Sequence, residues 1–268
     1  MAAALGIAAA VAATAAFAHG FVRLRRRGRA DLAGWDRAAL FGLAIALWLV
    51  ALSPPIDELA DRLLSAHMLE HVLIGDAAPA LVLVAVRGPL LFFLLPAGLL
   101  RRLAHASWLR RAGRQLLRPR AALLVWAASL GLWHVPALYD QTLAREWLHG
   151  LQHASFVLGG LLVWSVLVDP ARRGALSVRL RLGYALGLFV AGQMLANTLI
   201  LTYSPLYPDY AAEAHRPFGL SALGDQDLAG LVMIAEQLAT LGTFAAIQLR
   251  HLFRAPLVLR VEQHPFAV

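Results

Sequence analysis

Long apolar stretches separated by short polar connections make up most of the chain. Such stretches predict membrane-spanning helices, because about 20 helical residues cross a hydrocarbon core of roughly 30 Å. We predict seven spans, at about Ala2–Ala18, Ala38–Leu52, His67–Val86, Ala121–His134, Trp147–Val168, Leu182–Tyr203 and Leu228–Leu249. The predicted fold is therefore all-α, a polytopic membrane helix bundle that forms a single transmembrane domain over residues 1–268.

Two apolar segments allow more than one interpretation. The first segment ends in a stretch at residues 16–19, AFAH, that is typical of a signal-peptide cleavage site, but no basic region precedes it. We therefore predict an uncleaved span, with a cleaved signal peptide as the alternative. The segment Pro89–Leu100 is short and has a proline near each end, so we predict an interfacial or re-entrant piece, with a full span as the alternative.

The composition agrees with a membrane protein and limits its chemistry. The chain of 268 residues is 60% hydrophobic, which is typical of polytopic membrane proteins. Cysteine is absent, so disulfides and thiolate metal sites are excluded, and any metal must be bound by His, Met, Asp or Glu. The net charge is +8, and every basic residue is an arginine.

The arginines are unevenly distributed between the predicted connections. The first, third and fifth connections and the C-terminal tail carry 21 of the 24 basic residues, and the other loops carry only Arg62, Arg145 and Arg216. The positive-inside rule then places the N-terminus outside and the C-terminus in the cytoplasm of a bacterial inner membrane. A cleaved signal peptide would invert this distribution. We interpret the excess of basic over acidic residues as a consequence of membrane topology and contact with membrane lipid. It does not indicate a nucleic-acid partner.

Five histidines fall at the predicted outer ends of three successive spans. His67 and His71 begin the third span, His134 ends the fourth, and His149 and His153 begin the fifth. Both pairs have the i,i+4 spacing that places side chains on one helix face. A single histidine at a helix end is more often an interfacial side chain bonded to water. Two such pairs at one depth instead predict that the outer helix ends are neighbours and that the imidazoles form a metal site.

Several other polar or soft side chains are candidates to support these ligands. Glu70 and Glu236 lie at outer depth, where a carboxylate could orient an imidazole through its second nitrogen. Met68 offers a thioether, but it points about 100° away from His67, so packing explains it better than ligation does. Asp225 and Asp227 open the seventh span, where they either cap the helix or bind a cation at the mouth of the site.

Motifs in a fixed order along nearly the whole chain resemble a known family. The motifs are HMLEH (67–71) followed by Pro79, WHVPALYD (133–140), HGLQH (149–153), SPLYPDY (204–210) and DQDLAGLVM (225–233). They resemble the multi-spanning CtaG-type cytochrome c oxidase assembly factors. The resemblance implies a role in maturing a haem–copper oxidase, with the oxidase subunits as partners and copper as the metal. The matching histidines are His67, His71, His134, His149 and His153.

Two other functions compete with a copper-binding assembly factor. Histidines on facing helices could ligate a b-type haem, although an i,i+4 pair on one helix cannot supply both axial ligands. A metal or proton transporter would use Glu70, Asp76 and Glu236 as a path inward, but the spans become apolar below Asp76 and Glu236. No nucleophile–base pair, phosphate loop or hydrolase signature competes in the sequence, so we expect a protein that is not an enzyme.

Overall fold

The computed structural model of the protein describes residues 2–174 and 176–254, and within these ranges all regular structure is helical. The α-helices are α1 Ala2–Arg26, α2 Trp35–Ala51, α3 Pro54–Ala60, α4 Leu64–Val72, α5 Ala78–Val86, α6 Pro89–Phe93, α7 Ala97–His105, α8 Ser107–Leu116, α9 Pro119–Trp133, α10 Pro136–Ala144, α11 Glu146–Val168, α12 Val178–Leu201, α13 Pro208–Ala212, α14 Ala222–Gln237 and α15 Thr243–Arg254. The predicted arginine-bearing tail after residue 254, with Arg260, lies outside the described residues.

Among the described residues, six helical segments are long and apolar enough to cross a membrane. They are Ala4–Arg26, Ala30–Ala51, Leu64–Val86, Glu146–Val168, Val178–Leu201 and Ala222–Phe253. A seventh is obtained if α9 and α10, which meet at a bend of 78°, form one broken span. The prediction of an all-α polytopic bundle with about seven spans is confirmed. The predicted orientation of the termini stays a prediction.

The bend between α9 and α10 follows from the motif WHVP. Pro136 has no N–H to continue the helix, and its ring forces the preceding residue toward an extended conformation. Val135 accordingly has φ −67° and ψ 119°, and α10 starts again at Pro136. The fourth span predicted at Ala121–His134 is thus shorter at its end, because α9 stops at Trp133.

Two long spans each contain one wide turn with π-helical hydrogen bonding. The first, Leu73–Ala77, joins α4 to α5, and the second, Leu238–Gly242, joins α14 to α15. π-Turns inside α-helices are rare and occur frequently at functional sites. Gly160 of α11 packs directly on the first turn, because a Cβ there would lie 1.8 Å from the carbonyl oxygen of Gly75.

The short apolar segment after α5 does not form a span among the described residues. Gly88 adopts φ +76°, a left-handed conformation that favours glycine, and the chain then turns into the five-residue helix α6. Helix α7 follows from Ala97, so the segment Pro89–Leu100 is split between two short helices. This agrees with the predicted interfacial or re-entrant piece and disfavours a full span there.

Helix packing brings the polar ends of α4 and α11 together. Helix α11 packs against α9, α5 and the turn Leu73–Ala77, while α14 packs against α4 and α12. The apolar core between α5, α11 and α12 includes Leu83, Leu167 and Leu188, all buried. These contacts fix the third and fifth predicted spans beside each other, so their first turns lie at the same end of the bundle.

Candidate metal centre

Four histidines from two helices form one compact buried group. His67 and His71 of α4 and His149 and His153 of α11 each contribute a ring nitrogen, and these nitrogens all lie within 4.8 Å of one another. We call them the four-histidine group. The ring centroids are 4.3 Å apart within the first pair and 4.1 Å apart within the second. Across the pairs, His67 lies 5.0 Å from His149 and His71 lies 5.2 Å from His153.

The hydrogen bonds of His67 determine which of its nitrogens carries the proton. Its Nδ1 lies 2.8 Å from the hydroxyl oxygen of Tyr210, and that hydroxyl donates to the carbonyl oxygen of Ala60 at 2.6 Å. Burial raises the pKa of Tyr210 well above its usual range, so the phenol keeps its single proton. Because the hydroxyl uses this proton for its hydrogen bond to Ala60, it accepts a hydrogen bond from His67 Nδ1–H. The Nε2 atom of His67 is therefore the unprotonated nitrogen, and its lone pair faces His71 Nε2 in the group.

The remaining nitrogens of the group have few protein partners. His71 Nε2 lies 2.9 Å from His67 Nε2. Among the described residues, the buried Nε2 atoms of His149 and His153 and the buried Nδ1 of His71 have no hydrogen-bond partner. Buried polar atoms are normally hydrogen-bonded, so unpaired imidazole nitrogens in this group indicate a ligand site.

Glu70 brings a carboxyl group next to the four-histidine group. Its side chain is fully buried, and Oε1 lies 3.6 Å from His153 Nε2. Neither carboxyl oxygen has a hydrogen-bond partner among the described residues. A negative charge at this position would compensate the charge of a cation held by the imidazoles, since an unpaired charge in the membrane interior is costly.

Three tyrosines form an aromatic wall on one side of the group. Tyr139 of α10 packs 5.1 Å from the His67 ring and 4.4 Å from Tyr207, centroid to centroid. Tyr207 donates to the backbone carbonyl of His134 at 3.2 Å, which ties the loop before α13 to the end of α9. The wall excludes water and fixes Tyr210 against His67.

Asp225 holds the start of the histidine-bearing helix α4. Its carboxylate accepts from the backbone N–H of Leu64 at 2.7 Å and from that of Ser65 at 3.1 Å, and also from the Ser65 hydroxyl at 2.5 Å. These are the N–H groups that the first turn of a helix leaves without partners. Ser221, and not Asp225, caps the start of α14 by accepting from Gly224 N at 2.9 Å, while Asp225 lies in the first turn of that helix.

The structure places His134 outside the four-histidine group. Helix α9 ends one residue earlier, and the ring folds back so that Nδ1 donates to the carbonyl oxygen of Leu130 at 2.7 Å. Its nearest aromatic neighbours are Tyr139 and Phe156, both more than 6 Å away between centroids. The ring of His134 lines a small cavity together with His71, but none of its nitrogens belongs to the group that lies within 4.8 Å of one another.

The predicted supporting residues are also divided. Glu70 lies beside the group, as described above. Met68 is buried against Leu64 and Tyr139 in an apolar cluster, in agreement with the packing interpretation. Glu236 contacts Asp76 instead of an imidazole of the group. Asp227 is half-buried, with Oδ1 lacking a hydrogen-bond partner among the described residues.

Sequence reasoning missed two residues of the site. Tyr210 lies in the motif SPLYPDY, which was noticed without assigning the tyrosine a role. Gln152 lies between the two histidines of HGLQH, is fully buried, and has no partner for either amide atom among the described residues. The available signal for Gln152 was its position as a polar residue between two histidines of an otherwise apolar helix.

Comparison with known proteins gives a family and two distant relatives. The family model described as cytochrome c oxidase caa3 assembly factor (Caa3_CtaG) matches residues 15–255. Uncharacterized proteins Mb0105 of Mycobacterium bovis and MT0111 of Mycobacterium tuberculosis are each 26% identical over 231 residues, which cover 83% of this chain. The chain spans only 34% of the length of these relatives. No solved structure matches.

Proposed function

The chain belongs to the caa3-type cytochrome c oxidase assembly factor family, and from this premise we propose that it binds copper in the four-histidine group and passes it to an oxidase subunit. Copper is the cargo in this proposal, and the protein is not an enzyme. The single observation that carries the proposal is the convergence of four buried ring nitrogens within 4.8 Å.

The four donors fit one metal ion. Nitrogen ligands lie about 2.0–2.1 Å from a tetrahedral ion such as zinc, so two nitrogens of one site are separated by at most roughly 4 Å. The widest separation here is 4.8 Å, which a small rotation of a side chain can close. The Nε2 lone pair of His67, set by Tyr210, supplies the deprotonated form that binding requires.

Copper suits this donor set better than harder cations. Imidazole binds either oxidation state of copper, while carboxylate, carbonyl and water ligands suit Mg²⁺ and Ca²⁺. The chain has no cysteine, so the site does not depend on thiols that oxidise on the outer face of a membrane. Glu70, 3.6 Å from His153, provides the negative charge that balances a bound copper ion.

The proposed setting is a bacterial inner membrane with the four-histidine group toward the outer side. The distribution of arginines supports this orientation, with the N-terminus outside and the C-terminus in the cytoplasm. The whole chain would act as one membrane domain, with lipid around it and the oxidase subunits as its protein partners. Copper would then be received from the outer side, close to the ends of α4 and α11.

Haem binding has less support than copper binding. The nitrogens of His67 and His71 that face each other are only 2.9 Å apart, which leaves no space for a macrocycle between them. Both histidine pairs come from single helices at i,i+4 spacing, so each pair presents its rings side by side. Axial haem ligands must instead approach from opposite faces.

Oxidase activity at limiting copper tests the proposed role. Cells carrying the double variant His67→Ala/His71→Ala should insert the protein but show reduced cytochrome c oxidase activity, with partial recovery in excess copper. The matched control is His105→Ala/His251→Ala, which removes two exposed histidines far from the group and should leave activity unchanged. Normal oxidase activity of the first double variant at limiting copper contradicts copper delivery and favours a scaffold role for the bundle.

A further inference from the structure

A second polar cluster lies deeper in the bundle than the four-histidine group. Asp76 belongs to the π-helical turn Leu73–Ala77, and Glu236 lies in the last turn of α14, two residues before the π-helical turn Leu238–Gly242. Two different spans thus each bring one carboxyl group into the interior, in or next to a wide turn. Neither acid belongs to the four-histidine group.

Asp76 and Glu236 line the same small cavity, and Glu236 Oε1 has no hydrogen-bond partner among the described residues. The indole N–H of Trp164 donates to Asp76 Oδ1 from the facing helix α11. The Thr240 hydroxyl donates to the backbone carbonyl oxygen of Glu236 at 3.1 Å. Two carboxylates that share one site in the membrane interior repel each other, and each is costly to hold ionised there. A pair without a cation beside it therefore holds at least one proton.

A small cavity connects this pair with histidine nitrogens. Its volume is about 60 Å³, and it is lined by His71, His134, Asp76, Glu236 and Ser129, among others. A water molecule needs roughly 10–15 Å³ of such space, so the cavity has room for more than one. Three buried atoms of its lining residues have no hydrogen-bond partner among the described residues: His71 Nδ1, His134 Nε2 and Glu236 Oε1. These atoms are suitable partners for bridging water.

We propose that Asp76 and Glu236 form a proton-binding site within the membrane, whose proton exchanges with water in the cavity shared with His71 and His134. Among the described residues, the other polar groups next to the pair are Trp164, which donates to Asp76, and Thr240, which donates to the Glu236 backbone, together with Gln237 and Ser129 in the cavity wall. No arginine lies among these described residues, so no fixed positive charge replaces a proton on the pair. The inference stands whether or not the four-histidine group binds copper.

Infrared spectroscopy of the full-length protein in lipid nanodiscs tests this site. The wild-type protein should show a carbonyl stretching component of protonated carboxylic acid that disappears in Asp76→Asn/Glu236→Gln. The single variants Asp76→Asn and Glu236→Gln should each shift or remove the same component, because the proton is shared. Transfer of the wild type to D₂O should shift the component, because the cavity allows exchange.

The matched control is Asp169→Asn. Asp169 is also buried, but its carboxyl group is ion-paired with Arg181 at 3.1 Å and accepts two backbone N–H bonds, so it has the cationic partner that the pair lacks. The control spectrum should keep the carboxylic acid component unchanged. The proposal is overturned if neither single variant alters the component, if the control removes it too, or if D₂O leaves it unshifted. If the double variant does not insert, the single variants decide the result.

Discussion

The Nδ1 atom of His67 lies 2.8 Å from the phenolic oxygen of Tyr210, a residue 143 positions further along the chain. The hydroxyl group of Tyr210 donates its hydrogen bond to the carbonyl oxygen of Ala60, just before α4. A loop that follows the sixth span thereby sets the tautomer of a histidine in the third. Partners of this kind orient metal-binding imidazoles and raise their basicity.

Replacing Tyr210 with phenylalanine should weaken copper binding while leaving all four histidines in place. The variant removes the acceptor for His67 Nδ1–H, so the ring can shift its proton to Nε2 and lose the lone pair that faces the group. We expect affinity to fall about 10–100-fold, the range typical of changes to the partners of metal ligands. Competition titration against a copper chelator measures this loss. Tyr203→Phe is the control, because Tyr203 is 93% exposed. Equal affinities for the two variants would contradict the role of Tyr210.

Replacing Asp225 with alanine should destabilise the start of α4. The variant leaves two backbone N–H groups and the Ser65 hydroxyl without their acceptor in a buried place. We expect a loss of about 1–3 kcal/mol, as for other buried hydrogen bonds to charged groups. Thermal unfolding in detergent would show a lower midpoint.

Two further variants make the Asp225 measurement specific. Asp225→Asn keeps one acceptor oxygen and should recover part of the loss. Asp209→Ala removes an exposed carboxylate from the loop region and should leave the midpoint unchanged. A midpoint for Asp225→Ala equal to that of the wild type would mean that the contact between α14 and α4 does not stabilise the fold.

Single histidine replacements should separate the four-histidine group from His134. His153→Ala removes one of the four converging nitrogens, whereas the Nδ1 of His134 is occupied by the carbonyl of Leu130 and its ring lies outside the group. We expect His153→Ala to weaken copper binding strongly and His134→Ala to leave the stoichiometry unchanged. Elemental analysis of the purified variants after copper loading measures both. Loss of copper from His134→Ala alone would restore it as a ligand and exclude the four-histidine assignment.

Reporter fusions test the proposed orientation. Fusions at Arg27, Arg111 and Arg173 should report the cytoplasm, because the arginine-rich connections are held inside. Fusions at Asp57 and Asp209 should report the outer side. The reversed pattern would put the four-histidine group on the cytoplasmic side and remove the argument for copper uptake from outside.

Helical periodicity and charge predicted much of the fold and the two histidine pairs. His67 and His71 had to share a face at i,i+4 spacing, and the arginine pattern gave them the same depth as the second pair. Depth, however, does not give the direction in which a side chain points around the bundle axis. His134 follows the last residue of α9, where the bend imposed by Pro136 ends the helix, and its ring folds back to Leu130.

Helical periodicity and the charge distribution do not predict the contacts made by loops and π-turns. Tyr210 reaches His67 through a non-periodic loop, whose path is decided by the packing of its own aromatic residues. An aspartate in the first turn of a helix is equally well explained by that helix's dipole. The sequence therefore did not indicate that Asp225 accepts hydrogen bonds from the first residues of α4. The π-turns that pair Asp76 with Glu236 also have no simple sequence signal.

X-ray absorption spectroscopy of the purified full-length protein loaded with one equivalent of copper tests the central claim most directly. We predict a first shell made only of nitrogen or oxygen atoms at about 2 Å, with imidazole scattering, which His67→Ala/His71→Ala abolishes and His105→Ala/His251→Ala retains. A sulfur-containing shell, or an imidazole signal that survives the first double variant, would contradict copper binding by the four-histidine group.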